Sequence, residues 1–282
     1  MRDLPLAEGV VARDVEIETA DGYPMRARWY RKEGSDARSA VMYVHGGGMI
    51  LMGIDEMDAD ISRYVALSGV PFLSIGYRLA PEHPRPQAED ALDGYLWLIG
   101  HADELGIDAH RVAIMGDSGG AGIAAGAAIL ARDRGVPLAK QILIYPMLDD
   151  RETASSRDNH APVWNTRTNR FAWKYYLRGL GGVTPPCYAA PAREANYAGL
   201  PPAYAYVGTE EPFYCETLEY VANLKRAGTE ASVDVYPHWF HAYDMLLPFA
   251  KKSKEAVRHF EEHYLYATEH YFAPQRIPPA LD

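Results

Sequence analysis

The sequence predicts an α/β fold: a mostly parallel, eight-stranded sheet with helices on both faces and a small helical cap. Three observations carry this. From residue 39 onward, short continuous apolar runs alternate with stretches of helical length, the pattern of parallel strands covered on both sides. Two glycine-rich segments, His45-Gly46-Gly47-Gly48 and Gly116-Asp117-Ser118-Gly119-Gly120, each follow such a run directly. The alternation breaks once, between about 149 and 200, and then resumes.

In chain order, residues 13–20 alternate polar and apolar, as a half-exposed strand does. Asp21-Gly22 is a turn signal and 23–31 alternate again, which predicts an antiparallel hairpin. Then follow strand 39–45, a helix near 57–68, strand 71–77, helix 86–100, strand 111–116, helix 119–134 and strand 139–146. The irregular stretch holds Asp149-Asp150-Arg151, an aromatic helix around Phe171 to Leu177, and a proline-rich run. We read 149–200 as an insertion over the carboxyl ends of the strands, where open α/β sheets bind ligands. Strand 203–208, helix 214–227, strand 231–236 and a final helix from about 246 complete one domain spanning 1–282.

Composition narrows the function. The formal net charge is −10 and the densest basic cluster is Lys251-Lys252 with Lys254, read as a solvated helix face. Nucleic-acid and anionic-membrane partners need clustered Lys and Arg, so neither is expected. Two cysteines, Cys187 and Cys215, make no disulfide framework. Met1-Arg2-Asp3-Leu4-Pro5 has no apolar core of a signal peptide, and no apolar run is long enough to span a bilayer, so a cytoplasmic location is expected. No metal-ligand spacing of His or Cys is present, so no metal or cofactor is expected.

Strand, G-x-S-x-G turn and helix together form a nucleophile elbow, which lifts a serine hydroxyl out of the sheet. Ser118 is the candidate nucleophile. A serine needs an adjacent base, and the base an orienting acid, in the chain order Ser, acid, His. His241 lies in a loop after strand 231–236, with His238 as its neighbour and His259 on the following helix. Gly208-Thr209-Glu210-Glu211-Pro212 leaves the preceding strand, so Glu210 or Glu211 supplies the acid. Asp244 is too near His241 in sequence to orient its ring. The HGGG segment offers backbone N–H groups to a developing oxyanion.

These segments resemble the hormone-sensitive-lipase family of the α/β-hydrolase superfamily, in its bacterial HGGG/GDSAG carboxylesterase branch. Tyr77-Arg78-Leu79-Ala80-Pro81-Glu82-His83-Pro84 matches that family's YRLAPEHP segment letter for letter. The resemblance covers nearly the whole chain from about residue 13. It implies an α/β-hydrolase fold and hydrolysis of short to medium acyl esters through an acyl-enzyme. Ser118, Glu211 and His241 would be the triad, and Gly47, Gly48 and Gly119 the oxyanion hole. The family's acid is usually Asp, so Glu211 is a departure, as are Gly119-Gly120 for Ala-Gly and His241-Ala242-Tyr243 for His-Gly-Phe. Relatives carry a longer segment before the first strand, so the cap is expected to come mainly from 149–200, with a reduced contribution from 1–12.

Met49 and Ile50 follow the oxyanion segment, and Trp164, Trp173 and Tyr176 lie in the insertion. All five are candidates for substrate contact, the last three equally readable as packing of the cap. His45, Glu82 and His83 read as structural, and Asp117 as an acceptor for local backbone donors. An alternative chemistry with the same residues is lactone, aryl-ester or aryl-formamide hydrolysis. A ligand receptor on an inactive hydrolase scaffold is the reading from another class, and the retained His241 disfavours it. The expected partner is a small-molecule ester. A homodimer through 231–236 and the final helix is expected by analogy with relatives.

Overall fold

The structure, a computed structural model, describes residues 5–83 and 87–274. Met1 to Leu4 of the short N-terminal segment, and Pro84 of the YRLAPEHP segment, lie outside the described residues. The strands are β1 (Val10–Glu18), β2 (Pro24–Lys32), β3 (Ala40–Val44), β4 (Phe72–Ile75), β5 (Val112–Asp117), β6 (Lys140–Ile144), β7 (Ala203–Gly208) and β8 (Ala231–Tyr236). The helices are α1 (Asp58–Ser68), α2 (Gln87–Gly100), α3 (Ala102–Leu105), α4 (Ser118–Asp133), α5 (Thr166–Tyr176), α6 (Tyr214–Arg226), α7 (Tyr243–Leu246) and α8 (Lys251–His270). They build one eight-stranded sheet in the order β1-β2-β4-β3-β5-β6-β7-β8. β1 and β2 form the expected antiparallel hairpin, β2 meets β4 antiparallel, and every pairing from β4 to β8 is parallel. The carboxyl ends of the central strands therefore converge on one edge, where Ser118 begins α4.

Both faces are covered. On one, α2, α4 and α6 bury Leu92, Tyr95, Ile129 and Leu224 against Met42, Ile114 and Leu143. On the other, α1 and α8 bury Ile61, Tyr64, Phe260 and Tyr264 against Val41, Phe72 and Met115. The central strands β3 to β7 are accordingly buried along their whole length, which is why they read as unbroken apolar runs. α4 sits backbone to backbone against the chain that follows β6. A Cβ on Gly122 would lie 2.0 Å from the Met147 carbonyl oxygen, and one on Gly126 2.2 Å from that of Tyr188.

Within 149–200 the main regular element is α5. Asn165 caps it, its Oδ1 accepting from the N–H groups of Arg167 and Thr168 while Thr168 Oγ1 accepts from Asn165 N–H. The reciprocal pair fixes where the helix starts, and it starts earlier than the aromatic run at Phe171 indicated. The final helix is also corrected. α8 begins at Lys251 rather than about 246, because Pro248 disfavours helical backbone at the residue before it, and a separate turn, α7, ends at Leu246.

Candidate active site

Ser118 has φ +53°, a left-handed conformation that a non-glycine residue adopts only under constraint. The constraint is backbone crowding. A Cβ on Gly116 would sit 2.6 Å from the Gly120 carbonyl oxygen, and one on Gly120 only 2.2 Å from that of Val44 and 2.3 Å from that of His45. Gly120 thus lets the first turn of α4 lie directly on the strand leading into the HGGG segment. Gly120→Ala is therefore expected to destabilise the protein by about 3 kcal/mol or more, since backbone cannot retreat as a side chain can. Urea unfolding followed by circular dichroism checks this.

The histidine and the acid arrive on two loops zipped together. Thr209 N–H donates to the Tyr236 carbonyl (3.1 Å), Glu210 N–H to that of Trp239 (3.0 Å), and His238 N–H to Thr209 Oγ1 (2.8 Å). This brings His241 Nε2 to 2.9 Å from Ser118 Oγ and His241 Nδ1 to 2.6 Å from Glu211 Oε2. Gly208 N–H donates to the other oxygen, Glu211 Oε1, at 2.7 Å. Burial raises the Glu211 pKa above its ordinary value, with the His241 ring and the Gly208 N–H pulling against it. The other candidates go elsewhere. Glu210 is exposed and faces His238 Nδ1 at 3.7 Å. Asp244 accepts from Tyr206 Oη (2.6 Å), and His259 Nδ1 lies 3.4 Å from Tyr236 Oη.

The HGGG segment is held from below. Asp117 Oδ1 accepts from Tyr43 Oη at 2.7 Å, and the carboxylate also accepts from Gly46 N–H. Tyr77 Oη donates to the His45 carbonyl (2.9 Å), and the two rings stack 4.2 Å apart. Burial drops His45 to a pKa of about 4, so it is neutral at pH 7 and anchors the loop through Gly46 O, 2.8 Å from its Nδ1. Burial likewise pushes Asp117 up to about 6. Gly47 and Gly48 have φ of +100° and +59°, and the N–H of neither is taken by another group among the described residues. Gly119 faces them: a Cβ there would lie 2.8 Å from Gly48 Cα. Its N–H is in the first turn of α4, where backbone donors have no partner within the helix.

Of the five lining candidates, Trp164 lays its side chain against this group. A Cβ on Gly48 would strike Trp164 Cη2 at 2.4 Å, and the indole lies 6.1 Å from the His241 ring. Its Nε1 donates to Asn169 Oδ1 (3.3 Å), tying it to α5. Phe213 (5.0 Å) and Tyr145 (4.7 Å) put further rings edge-on against His241. Ser118 is only 5% and His241 3% exposed beneath this cage. Met49 is fully buried and points at Gly122, while Ile50 is half-buried on the same core. Trp173 and Tyr176, both on α5, pair with each other at 5.7 Å and pack in that core.

The sequence reading missed Glu216. It is buried on α6, and its Oε1 accepts the N–H groups of Leu148 (2.7 Å) and Asp149 (3.2 Å), fixing the chain where it leaves β6 for the insertion. Its one signal is a glutamate on the face of α6 that also carries Tyr220 and Leu224. Glu82 is exposed and His83 half-buried beside Tyr23, while Arg78 of the same segment joins Asp90 and Asp21. Cys187 and Cys215 are free thiols. Among the described residues no group of three or more His, Cys, Asp or Glu is arranged to hold a metal ion, and no helix is long and apolar enough to cross a membrane.

A sharp serine turn, a histidine–carboxylate pair and a loop of free N–H groups on this sheet define the α/β-hydrolase class. A family model described as an α/β hydrolase fold matches residues 41–245. The chain belongs to that family, in the hormone-sensitive-lipase branch its motifs resemble. It is 35% identical over 207 residues to esterase LipI of Mycobacterium tuberculosis, covering 72% of this chain and 65% of LipI, just under two thirds of that protein's length. It is 30% identical over 253 residues to ethyl acetate hydrolase of Pseudomonas putida, covering 86% and 79%. The solved structure of a bacterial heroin esterase superposes with a TM-score of 0.88 at 32% identity, over 93% of this chain and 85% of that one.

Proposed function

We propose that the protein is a serine carboxylic-ester hydrolase acting on short to medium acyl esters. The observation that carries this reading is the continuous chain from Ser118 Oγ through His241 to Glu211, at 2.9 and 2.6 Å. The esterases among its relatives support the same class.

In the mechanism, His241 Nε2 takes the Ser118 hydroxyl proton as Oγ attacks the ester carbonyl. Glu211 accepts from Nδ1–H, which keeps Nε2 free as the base and stabilises the imidazolium that forms. The N–H groups of Gly47, Gly48 and Gly119 receive the charge on the carbonyl oxygen. His241 then gives its proton to the departing alcohol. A water repeats the sequence on the acyl-enzyme, releasing the acid and restoring Ser118. The lost stabilisation from one oxyanion donor in such sites is worth roughly 10²–10³ in kcat.

Residues 149–200 act as the cap, and Trp164 is its contact with the reacting centre. Its indole closes the space beside Gly48 and His241, which favours small esters. Trp164→Ala is expected to move the optimum toward bulkier esters, raising their kcat/KM relative to acetate by about tenfold. The test of the function is a p-nitrophenyl ester series from acetate to palmitate on the purified protein. Turnover greatest between acetate and octanoate is expected. No turnover of these esters beside hydrolysis of a lactone or an aryl formamide would overturn the substrate class.

A further inference from the structure

Glu216 lies in the first turn of α6, on the same stretch of chain that carries Glu211 and Phe213, and is buried. Its Oε1 takes two backbone donors at once, Leu148 N–H at 2.7 Å and Asp149 N–H at 3.2 Å. Those donors end a short segment, Tyr145 to Asp149, that touches both members of the reacting pair. The Tyr145 ring stands edge-on to His241 at 4.7 Å, and Tyr145 N–H is fixed on the Tyr206 carbonyl at 2.9 Å. Met147 N–H donates to the Ser118 carbonyl at 3.1 Å, and the Met147 carbonyl lies against Gly122.

The turn that carries the acid reaches the same imidazole. Glu211 Oε2 meets Nδ1, and the Phe213 ring lies 5.0 Å from the His241 ring. Ser155 makes a second tie between the turn and the chain after β6, donating to the Pro212 carbonyl (2.7 Å) and accepting from Cys215 N–H (3.0 Å). Segment 145–149 thus supports Ser118 and one ring against His241, while turn 211–216 supplies the acid and another. Glu216 is the side chain by which the turn grips the backbone of the segment.

This grip needs an oxygen rather than a charge. Glu216 Oε2 is buried with no hydrogen bond among the described residues. Burial holds the Glu216 pKa well above its ordinary value, against the pull of the two N–H groups. The uncharged acid keeps an acceptor for both donors and puts no second negative charge near Glu211. Buried N–H groups left without an acceptor are costly, so the segment would shift to find others. A displacement of about 1 Å at a reacting group can cost about 100-fold in rate.

We infer that Glu216 is a positioning residue for the reaction: its oxygen holds the Tyr145–Asp149 segment so that Ser118 and His241 stay in register. What is being positioned rests on the hydrolase reading above.

The experiment compares Glu216→Leu, Glu216→Asp and Glu216→Gln with the native protein. Each is followed by thermal unfolding, by steady-state kinetics on p-nitrophenyl acetate, and by the downfield proton NMR signal of His241 Nδ1–H, assigned through its loss in His241→Ala. Glu216→Leu removes the acceptor at similar size, and kcat is expected to fall about 100-fold with KM within about threefold. Glu216→Asp draws the carboxyl back by one methylene and is expected to lower kcat about tenfold; it carries the test if Glu216→Leu does not fold. Glu216→Gln keeps an uncharged oxygen acceptor and is expected to hold kcat within about threefold, with the native NMR signal. The signal should move or broaden in the other two. A lower unfolding temperature with kcat and the signal unchanged in Glu216→Leu and Glu216→Asp would reduce Glu216 to a stabilising residue and overturn the inference. A loss in Glu216→Gln as large as that in Glu216→Asp would also overturn it, by assigning the effect to charge. The NMR signal is read without substrate, so its outcome is separable from failure of the hydrolase reading.

Discussion

Ser118→Ala is expected to lower kcat on p-nitrophenyl acetate by about 10⁶. The only hydrogen bond of Ser118 Oγ among the described residues is with His241 Nε2, so the substitution removes the attacking atom and no structural contact. The left-handed backbone at this position is imposed by Gly116 and Gly120 pressing on neighbouring carbonyls, and those contacts survive in alanine. Stability should therefore stay within about 1 kcal/mol of the native protein. A residual rate of roughly 10³ over water, from N–H groups still able to hold the oxyanion, is part of the expectation. Steady-state kinetics beside a urea unfolding curve measures both quantities.

Glu211→Gln is expected to lower kcat by about 10⁴, and the geometry says why. The two carboxylate oxygens face different partners: Oε1 accepts from Gly208 N–H and Oε2 faces His241 Nδ1. An amide has one acceptor. If its oxygen keeps the Gly208 N–H, its NH₂ points at Nδ1, which must then be the acceptor. The proton moves to Nε2, and Nε2 no longer has a lone pair for the Ser118 proton. Turning the amide over restores the tautomer but sets NH₂ against a buried N–H. Either way the imidazolium loses its counter-charge. Glu210→Gln is the control. That side chain is exposed beside His238, and kcat should remain within about twofold. Parallel kinetics of the two variants separates the acids.

Much of this architecture was legible because the central strands are buried on both faces. β7 falls at 203–208 as its apolar run indicates, β8 at the sheet edge falls at 231–236, and the glycine spacing alone located the elbow. The serine, the histidine and both candidate acids were visible by chain order. Chain order does not choose between the acids, because adjacent residues on one loop differ only in direction; the family resemblance names Glu211, and it is Glu211 that turns inward under Gly208 while Glu210 turns out. The insertion was least legible. Trp164 and Trp173 are alike in sequence, but the Asn165 cap fixes the start of α5 so that one indole lies on Gly48 and the other in the core. The link from Asp117 to Gly46 and the backbone grip of Glu216 join segments far apart in the chain, and no local pattern announces them. Pro248 was a local signal against a helix starting near 246, and the apolar run around it masked it.

The central claim is that Ser118 forms a covalent bond to the acyl group. Its most direct test is to treat the purified protein with a fluorophosphonate, which traps an activated serine, and to locate the adduct by intact-mass and peptide mass spectrometry. One adduct per chain, on the peptide containing Ser118 and in step with loss of p-nitrophenyl acetate turnover, is the result this account predicts. Turnover that persists with Ser118 fully modified, or inactivation with the adduct on another residue, would contradict it.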